Sequence, residues 1–148
     1  VKIISFGIES GNKDVLSYYR KNITLEKIPT IIKCANQLGI YTVGNFIIGA
    51  PMESMDTIKQ TFALIRECEF DQVNIKTLDY MIGSELYDSL DTSLRTDDHV
   101  FACKELGLTP FTLDQIRTIK QEFLDTYYKE HQDVLKKKIK KYGPPYIQ

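Results

Sequence analysis

The chain has no tryptophan, two histidines and three cysteines in 148 residues. Cys34, Cys68 and Cys103 are odd in number and widely spaced, which fits neither a disulfide framework nor a metal-binding loop. The default reading is three incidental or buried thiols in a reducing setting, so a cytoplasmic location is expected. His99 and His131 are equally isolated, and Asp97-Asp98-His99 reads as a surface loop rather than a metal site. No apolar run approaches the roughly 20 residues that span a bilayer, and there is no signal-peptide pattern. No membrane partner is expected. Charge of one sign is missing as well: the net charge is −1. That disfavours a surface committed to nucleic acid. Lys136-Lys137-Lys138 with Lys140 and Lys141 is a local basic run, read first as a solvated helix end.

What is present is an ordinary folding composition, 43% hydrophobic and 26% charged, at a length that suits one compact core. Val1 is not an initiator methionine and Lys2–Ile8 is already a buried-type strand, so the sequence is expected to be a piece of a longer polypeptide. Two strand ends stand out. Ile4-Ser5-Phe6-Gly7-Ile8-Glu9-Ser10-Gly11 and Gly44-Asn45-Phe46-Ile47-Ile48-Gly49-Ala50-Pro51-Met52-Glu53 each stop an apolar run at glycine plus a carboxylate. Parallel α/β proteins place ligand sites just beyond such carboxyl ends.

The pattern predicts a strand near 2–8 and a short helix after Asn12 that uses Val15, Leu16 and Tyr19. Thr24 is expected to N-cap a second helix, with Ile28, Ile31, Ile32, Ala35 and Leu38 on its core face. Pro29 is tolerable near the first turn, and Gly39 suits a left-handed cap. A strand near 41–49, a helix from about Met55 that fades by Cys68, and a strand near 71–78 follow. Glu85-Leu86-Tyr87 reads as a short helical piece. Residues 88–110 are polar and poorly periodic and predict a connection with little regular structure. A long helix opens at Thr112, uses Leu113, Ile116, Ile119, Phe123 and Tyr127, and is stopped by Gly143-Pro144-Pro145.

Three parallel strands cannot close into a barrel and leave two open edges. The reading is therefore α/β: a partial (β/α) barrel fragment of parallel strands alternating with helices, plus a C-terminal helical segment. Its parts are a barrel portion over 1–88, a connecting segment over 89–111 and a helical extension over 112–148. An exposed edge at residues 2–8 predicts self-association of the fragment.

Four elements in order carry a resemblance: Ser5-Phe6-Gly7-Ile8-Glu9-Ser10-Gly11, Lys21-Asn22-Ile23-Thr24, Phe46-Ile47-Ile48-Gly49-x-Pro51-x-Glu53 and Gly83-Ser84-Glu85-Leu86-Tyr87. With them the chain resembles the radical S-adenosylmethionine superfamily, specifically strands four to six of its partial (β/α)6 barrel. The tail around Tyr127 and Tyr128 is more weakly similar to the cobalamin-associated branch. The resemblance implies S-adenosylmethionine as cofactor, with Glu9 and Ser10 at the nucleoside and Lys21, in preference to Arg20, at the methionine carboxylate. Ile47, Ile48 and Gly49 would form the adenine shelf. Asn22 replaces a glycine of the family pattern, and asparagine tolerates the left-handed turn. Plainer readings stand beside these: Glu9 as a helix-start charge, Lys21 as a solvated lysine, Ile47 and Ile48 as core. Glu53 is read as a helix-start carboxylate before a ligand contact.

The family's [4Fe–4S] cluster needs a Cys-x3-Cys-x2-Cys loop, which this sequence does not contain. The cluster, and cobalamin as a further candidate, are therefore assigned to the parent enzyme, and no catalytic or metal-ligating residue is assigned here. The expected partner is the missing N-terminal half of the same polypeptide. Met52 replaces the family's second glycine after the fifth strand, and Tyr80-Met81-Ile82-Gly83-Ser84 lacks the prolines after the sixth, so substrate does not follow by analogy. The alternative is a non-catalytic barrel-derived module for partner or nucleic-acid binding. A phosphate-binding barrel of another kind would want a glycine-rich loop at a helix start, and none is evident.

Overall fold

The computed structural model of the protein describes residues 2–145. Three strands, β1 (Ile3–Glu9), β2 (Tyr41–Ile48) and β3 (Gln72–Thr77), form a parallel sheet in the order β1-β2-β3. Between β1 and β2 lie α1 (Lys13–Tyr18) and α2 (Ile28–Gln37), and α3 (Met55–Cys68) joins β2 to β3. The sheet pairs Ile3 with Tyr41 at one end and Ile48 with Thr77 at the other. All three carboxyl ends thus open on the same side. The chain is mixed α/β with an open sheet, and no closed barrel forms among the described residues.

Alternation divides the sheet into two unlike faces. Ile8, Phe46, Ile48, Val73 and Ile75 point to the helical layer and join Ile32, Ile58, Phe62 and Ile65 in the main core. The opposite face carries Ser5, Asn45, Asn74 and Gln72, linked side chain to side chain. Asn45 donates to Ser5 Oγ at 2.7 Å, Asn74 to Asn45 Oδ1 at 2.9 Å, and Gln72 to Asn74 Oδ1 at 3.1 Å. One face is packed, the other is a polar rung across three strands.

Several boundaries follow local chemistry. Asn12 caps α1 by accepting from Asp14 and Val15 N–H. Gly39 takes φ 73° after α2, as its position demands. Ser54 and Thr57 form a reciprocal capping box at α3, hidden from a Glu/Gln pattern because threonine fills the third place. Thr24 differs from expectation: it makes no side-chain cap. A 3-10 turn, Leu25–Lys27, precedes α2, which starts at Ile28 with Pro29 in its first turn. The Lys27 N–H, which a Thr24 side-chain cap would take, donates instead to the Thr24 carbonyl at 3.1 Å.

Residues 88–110 are more ordered than their polarity predicts. After α4 (Glu85–Asp88) the chain returns as β5 (Val100–Phe101), which pairs antiparallel with β4 (Asp79–Tyr80). This ribbon buries Leu78, Tyr80, Leu90, Val100 and Ala102 as a second small core. The apolar residues are too few and irregular to show a period, yet each is placed by the long-range pairing. The last element, α5 (Leu113–Tyr142), is a 30-residue helix with a Thr112–Gln115 capping box. It docks through Ile116, Phe123, Tyr127 and His131, with Phe62 and Phe123 stacked at 3.9 Å.

Candidate functional site

The carboxyl end of β1 departs from regular strand geometry. The β1–β2 register shifts between Gly7 and Glu9, and Glu9 adopts φ 72°. A non-glycine residue in that region stores roughly 1–3 kcal/mol of strain, held in place by its surroundings. The strain turns the Glu9 carboxylate out of the sheet, where its Oε1 lies 3.1 Å from Lys21 Nζ. Gly7 makes the meeting possible: a Cβ there would stand 2.9 Å from Glu9 Oε1 and 3.5 Å from Lys21 Nζ.

Glu9 and Lys21 border a cavity of about 610 Å³, whose apolar side includes Ile47 and Leu78. Its rim is charged. Arg20 pairs with Glu85 across the opening, and Asp79 enters from the start of β4. Arg20 also has a left-handed backbone, φ 53°, so two of the three non-glycine residues with positive φ among the described residues line this cavity. The arrangement offers an acceptor carboxylate, a cation and an apolar wall within one mouth. A polar ligand with an apolar ring and an anionic end suits such a site.

The structure brings Glu9, Lys21 and Ile47 together at this cavity. Ser10, Ile48 and Gly49 lie behind it. Ser10 is fully buried, 3.3 Å from Thr61 Oγ1, and accepts from Asn12 N–H, tying the turn after β1 to α3. Ile48 is in the main core. Gly49, at φ 125°, is approached by Ala102 and Leu78, each within 3.3 Å of a hypothetical Cβ. Its N–H donates to Glu53 Oε2 at 2.5 Å, and Ala50 N–H donates to the same oxygen at 2.9 Å.

Glu53 is thus neither within α3 nor at the cavity lining. It is 2% exposed and braces the loop after β2. Burial pushes its carboxyl above the usual carboxylate range, against the two backbone N–H donors that pull it down. Glu53 Oε1 and the Tyr19 hydroxyl are both buried without a partner among the described residues. Burial, then the nearby Glu53, pushes the Tyr19 phenol far above its ordinary value, so it stays a neutral donor. Asp79 is a site residue that sequence reasoning missed. An apolar run ending at a carboxylate, the same signal that marks Glu9, also marks Asp79 at the end of Val73–Leu78.

No group of three or more His, Cys, Asp or Glu side chains among the described residues could hold a metal ion. Cys34, Cys68 and Cys103 are free thiols. Burial raises the Cys68 thiol to about 12, which keeps it protonated and inert. The residues present therefore do not fit an iron–sulfur cluster.

No protein-family model matches the sequence. It is 23% identical over 130 residues to an uncharacterised methyltransferase of Pyrococcus horikoshii, covering 84% of this chain and 28% of that protein. It is 32% identical over 90 residues to the cytidylyl-2-hydroxyethylphosphonate methyltransferase of Streptomyces wedmorensis, covering 56% and 17%. A Methanocaldococcus jannaschii protein named as a methylthiotransferase is 31% identical over 85 residues, covering 57% and 19%. The relatives are named as methyl- and methylthiotransferases. The chain spans between 17% and 28% of their lengths. No helix among the described residues is long and apolar enough to cross a membrane.

Proposed function

We propose that this chain supplies the nucleoside- and methionine-holding side of an S-adenosylmethionine site in a larger radical S-adenosylmethionine, iron–sulfur enzyme that transfers methyl or methylthio groups. The observation that carries this reading is the strained Glu9, held against Lys21 at the mouth of a cavity walled by Ile47. A carboxylate accepts from ribose hydroxyls, an ammonium pairs with the methionine carboxylate, and an apolar wall suits a purine face. The cofactor would supply the transferable group. The chain's own residues bind it, orient it and limit water on the apolar side.

The cluster ligands belong, in this reading, to the missing N-terminal half of the polypeptide, whose strands extend the sheet from β1 toward a partial barrel. Cobalamin is assigned, if anywhere, to that parent. Titration of S-adenosylmethionine into the chain, followed by amide shifts, is expected to move Glu9, Lys21 and the Ile47 region together. Glu9→Gln and Lys21→Met should each weaken binding by about tenfold, the scale of one charge-assisted hydrogen bond. Lys13→Met is the control, since Lys13 pairs with Glu26 away from the cavity. Binding indifferent to Glu9 and Lys21 would overturn the assignment. A coding sequence with no Cys-x3-Cys-x2-Cys triplet upstream of Val1 would overturn the radical chemistry.

A further inference from the structure

The wall of the main cavity is unfinished in its hydrogen bonds. Among the described residues, five side-chain oxygens and nitrogens are buried without a partner. Two of them, the Tyr19 hydroxyl and Asp79 Oδ1, belong to residues that line this cavity, and a third, Glu53 Oε1, belongs to a residue whose charge acts on Tyr19. Buried polar atoms are nearly always paired, so a cluster of gaps marks a place where something else supplies the partner. Asp79 is held there from both sides. Leu78 N–H donates to Ile48 C=O at 2.7 Å and Leu78 C=O accepts from Ala102 N–H at 2.8 Å, which pins the chain just before Asp79. Asp79 itself pairs with Phe101 across the β4–β5 ribbon. Its Oδ2 lies 2.5 Å from His99 Nδ1, and the His99 ring stacks on Phe101 at 5.5 Å. A carboxylate only accepts, so the His99 nitrogen is the donor. One oxygen of Asp79 is fixed and the other is open, on a side chain 19% exposed.

The neighbours of Asp79 choose its partner. Ile47 and Leu78 form the apolar wall beside it, and a flat ring on that wall turns an edge toward Asp79. Oδ1 can accept and cannot donate, so that edge must offer an N–H. The hydrogen bond and charge of Asp79 raise the His99 imidazole above its ordinary value. A carboxylate matched by an imidazolium suits a neutral N–H better than an ammonium, because the second cation offsets the attraction. Tyr19 adds a hydroxyl donor to the same cavity. Acceptor and donor together complement adenine, whose amino group stands beside a ring-nitrogen acceptor. They do not complement hypoxanthine, which carries a carbonyl oxygen in place of that amino group. We propose that Asp79 selects the base of the bound nucleoside: its Oδ1 accepts from the exocyclic amino group of adenine lying on Ile47 and Leu78, and the Tyr19 hydroxyl donates to a ring nitrogen. Asp79 is thereby a specificity-determining residue and His99 a positioning residue behind it. This contact rests on the S-adenosylmethionine reading of the cavity and extends it from ribose and methionine to the base.

Adenosine and inosine are the probes, titrated into the chain and followed by amide shifts. In the unaltered protein adenosine should bind at least about tenfold more tightly, because inosine sets a carbonyl oxygen against a carboxylate and leaves Oδ1 unpaired. Asp79→Asn should reduce the ratio to about twofold or less, since an amide can turn its N–H toward the carbonyl oxygen. His99→Phe frees Oδ2 and should lower the ratio without abolishing it. Tyr19→Phe should weaken both nucleosides alike, because both carry ring-nitrogen acceptors. A general loss of structure would lower both affinities and leave the ratio standing, so the ratio separates recognition from folding. Equal affinity for the two nucleosides in the unaltered protein, with binding still dependent on Glu9, would overturn the role of Asp79 and leave the S-adenosylmethionine reading intact. A ratio unchanged in Asp79→Asn would do the same. No binding of either nucleoside would overturn that reading, and this contact with it.

Discussion

The two edges of the sheet are treated in opposite ways. In a parallel ladder successive residues turn their N–H and C=O groups to alternate sides. At β3 the outward groups include those of Val73, and the Tyr128 hydroxyl of α5 takes both. It accepts from Val73 N–H at 2.8 Å and donates to Val73 C=O at 3.1 Å. Lys120 adds a bond to the Thr77 hydroxyl at 3.2 Å. At β1 the same alternation directs Ile3, Ser5 and Gly7 outward, and among the described residues only Gly7 C=O receives a donor, Lys21 at 3.4 Å. One hydroxyl, donor and acceptor on the same atom, thus pairs both outward backbone groups of Val73. The outward groups of Ile3 and Ser5 have no such partner among the described residues.

The finished edge depends on α5 staying down, and its far end is pinned by a buried ion pair. Lys138 Nζ reaches Asp71 Oδ2 at 2.5 Å and Asn36 Oδ1 at 2.8 Å, with both side chains of the pair under 10% exposed. Lys138→Met leaves the Asp71 carboxylate buried and unpaired, and should cost about 3–5 kcal/mol in urea unfolding. This is the largest effect expected, and it should also speed amide exchange along β3. Tyr128→Phe is a narrower cut: it strands two backbone groups of Val73 and should cost about 1–3 kcal/mol. Exchange at Val73 should rise toward that of Ser5, erasing the contrast between the edges locally.

Ser5→Pro tests the open edge from the other direction. Proline removes an N–H that faces outward, as edge strands tolerate, so stability should change by less than about 1 kcal/mol. Association measured by sedimentation should fall. If association persists, β1 is not its route. The smallest expected effect is from pH. His131 stacks on Tyr127 at 5.2 Å, is 6% exposed and leaves Nε2 buried without a partner among the described residues. Burial, reinforced by Lys138, lowers its imidazole, while Glu69 and Asp71 oppose the shift. The unfolded chain therefore binds a proton that the folded chain refuses. The stability His131 contributes is complete above its ordinary value of 6.5 and declines as pH falls below it. Glu53 is raised and acts with the opposite sign. The measurement is thus the difference in urea midpoint between the protein and His131→Phe, at pH 5 and at pH 7.5. A pH-independent difference would rule out the linkage.

Much of the central fold was legible in the sequence, because buried parallel strands and core-facing helices write themselves as period and punctuation. The ends of β1 and β2, α3 and the long α5 followed from that pattern. The β4–β5 ribbon did not, since two strands of two residues each carry no period and depend on a partner 20 residues away. The Thr24 start misled because a capping residue type is not a cap until the next N–H is free to meet it. At the site, Glu9, Lys21 and Ile47 converge on one cavity, while Ser10, Ile48 and Gly49 stand behind it in bonds to α3, the core and the loop. Asp79 went unread although it carries the same strand-end signature. Tyr128 was noted only as part of a tyrosine-rich tail; its service to Val73 links positions 55 residues apart, which no local pattern records.

The one-sided cover also bears on how far any edge-to-edge pairing of copies would extend. A unit with two open edges stacks without limit into a fibre. With α5 lying over β3, a second copy would meet β1 alone, and a β1-to-β1 contact across a twofold axis would consume both open edges at once. Growth would stop at two. The stop is α5 itself, held by its apolar face, with the Tyr128 hydroxyl tying it to the Val73 backbone.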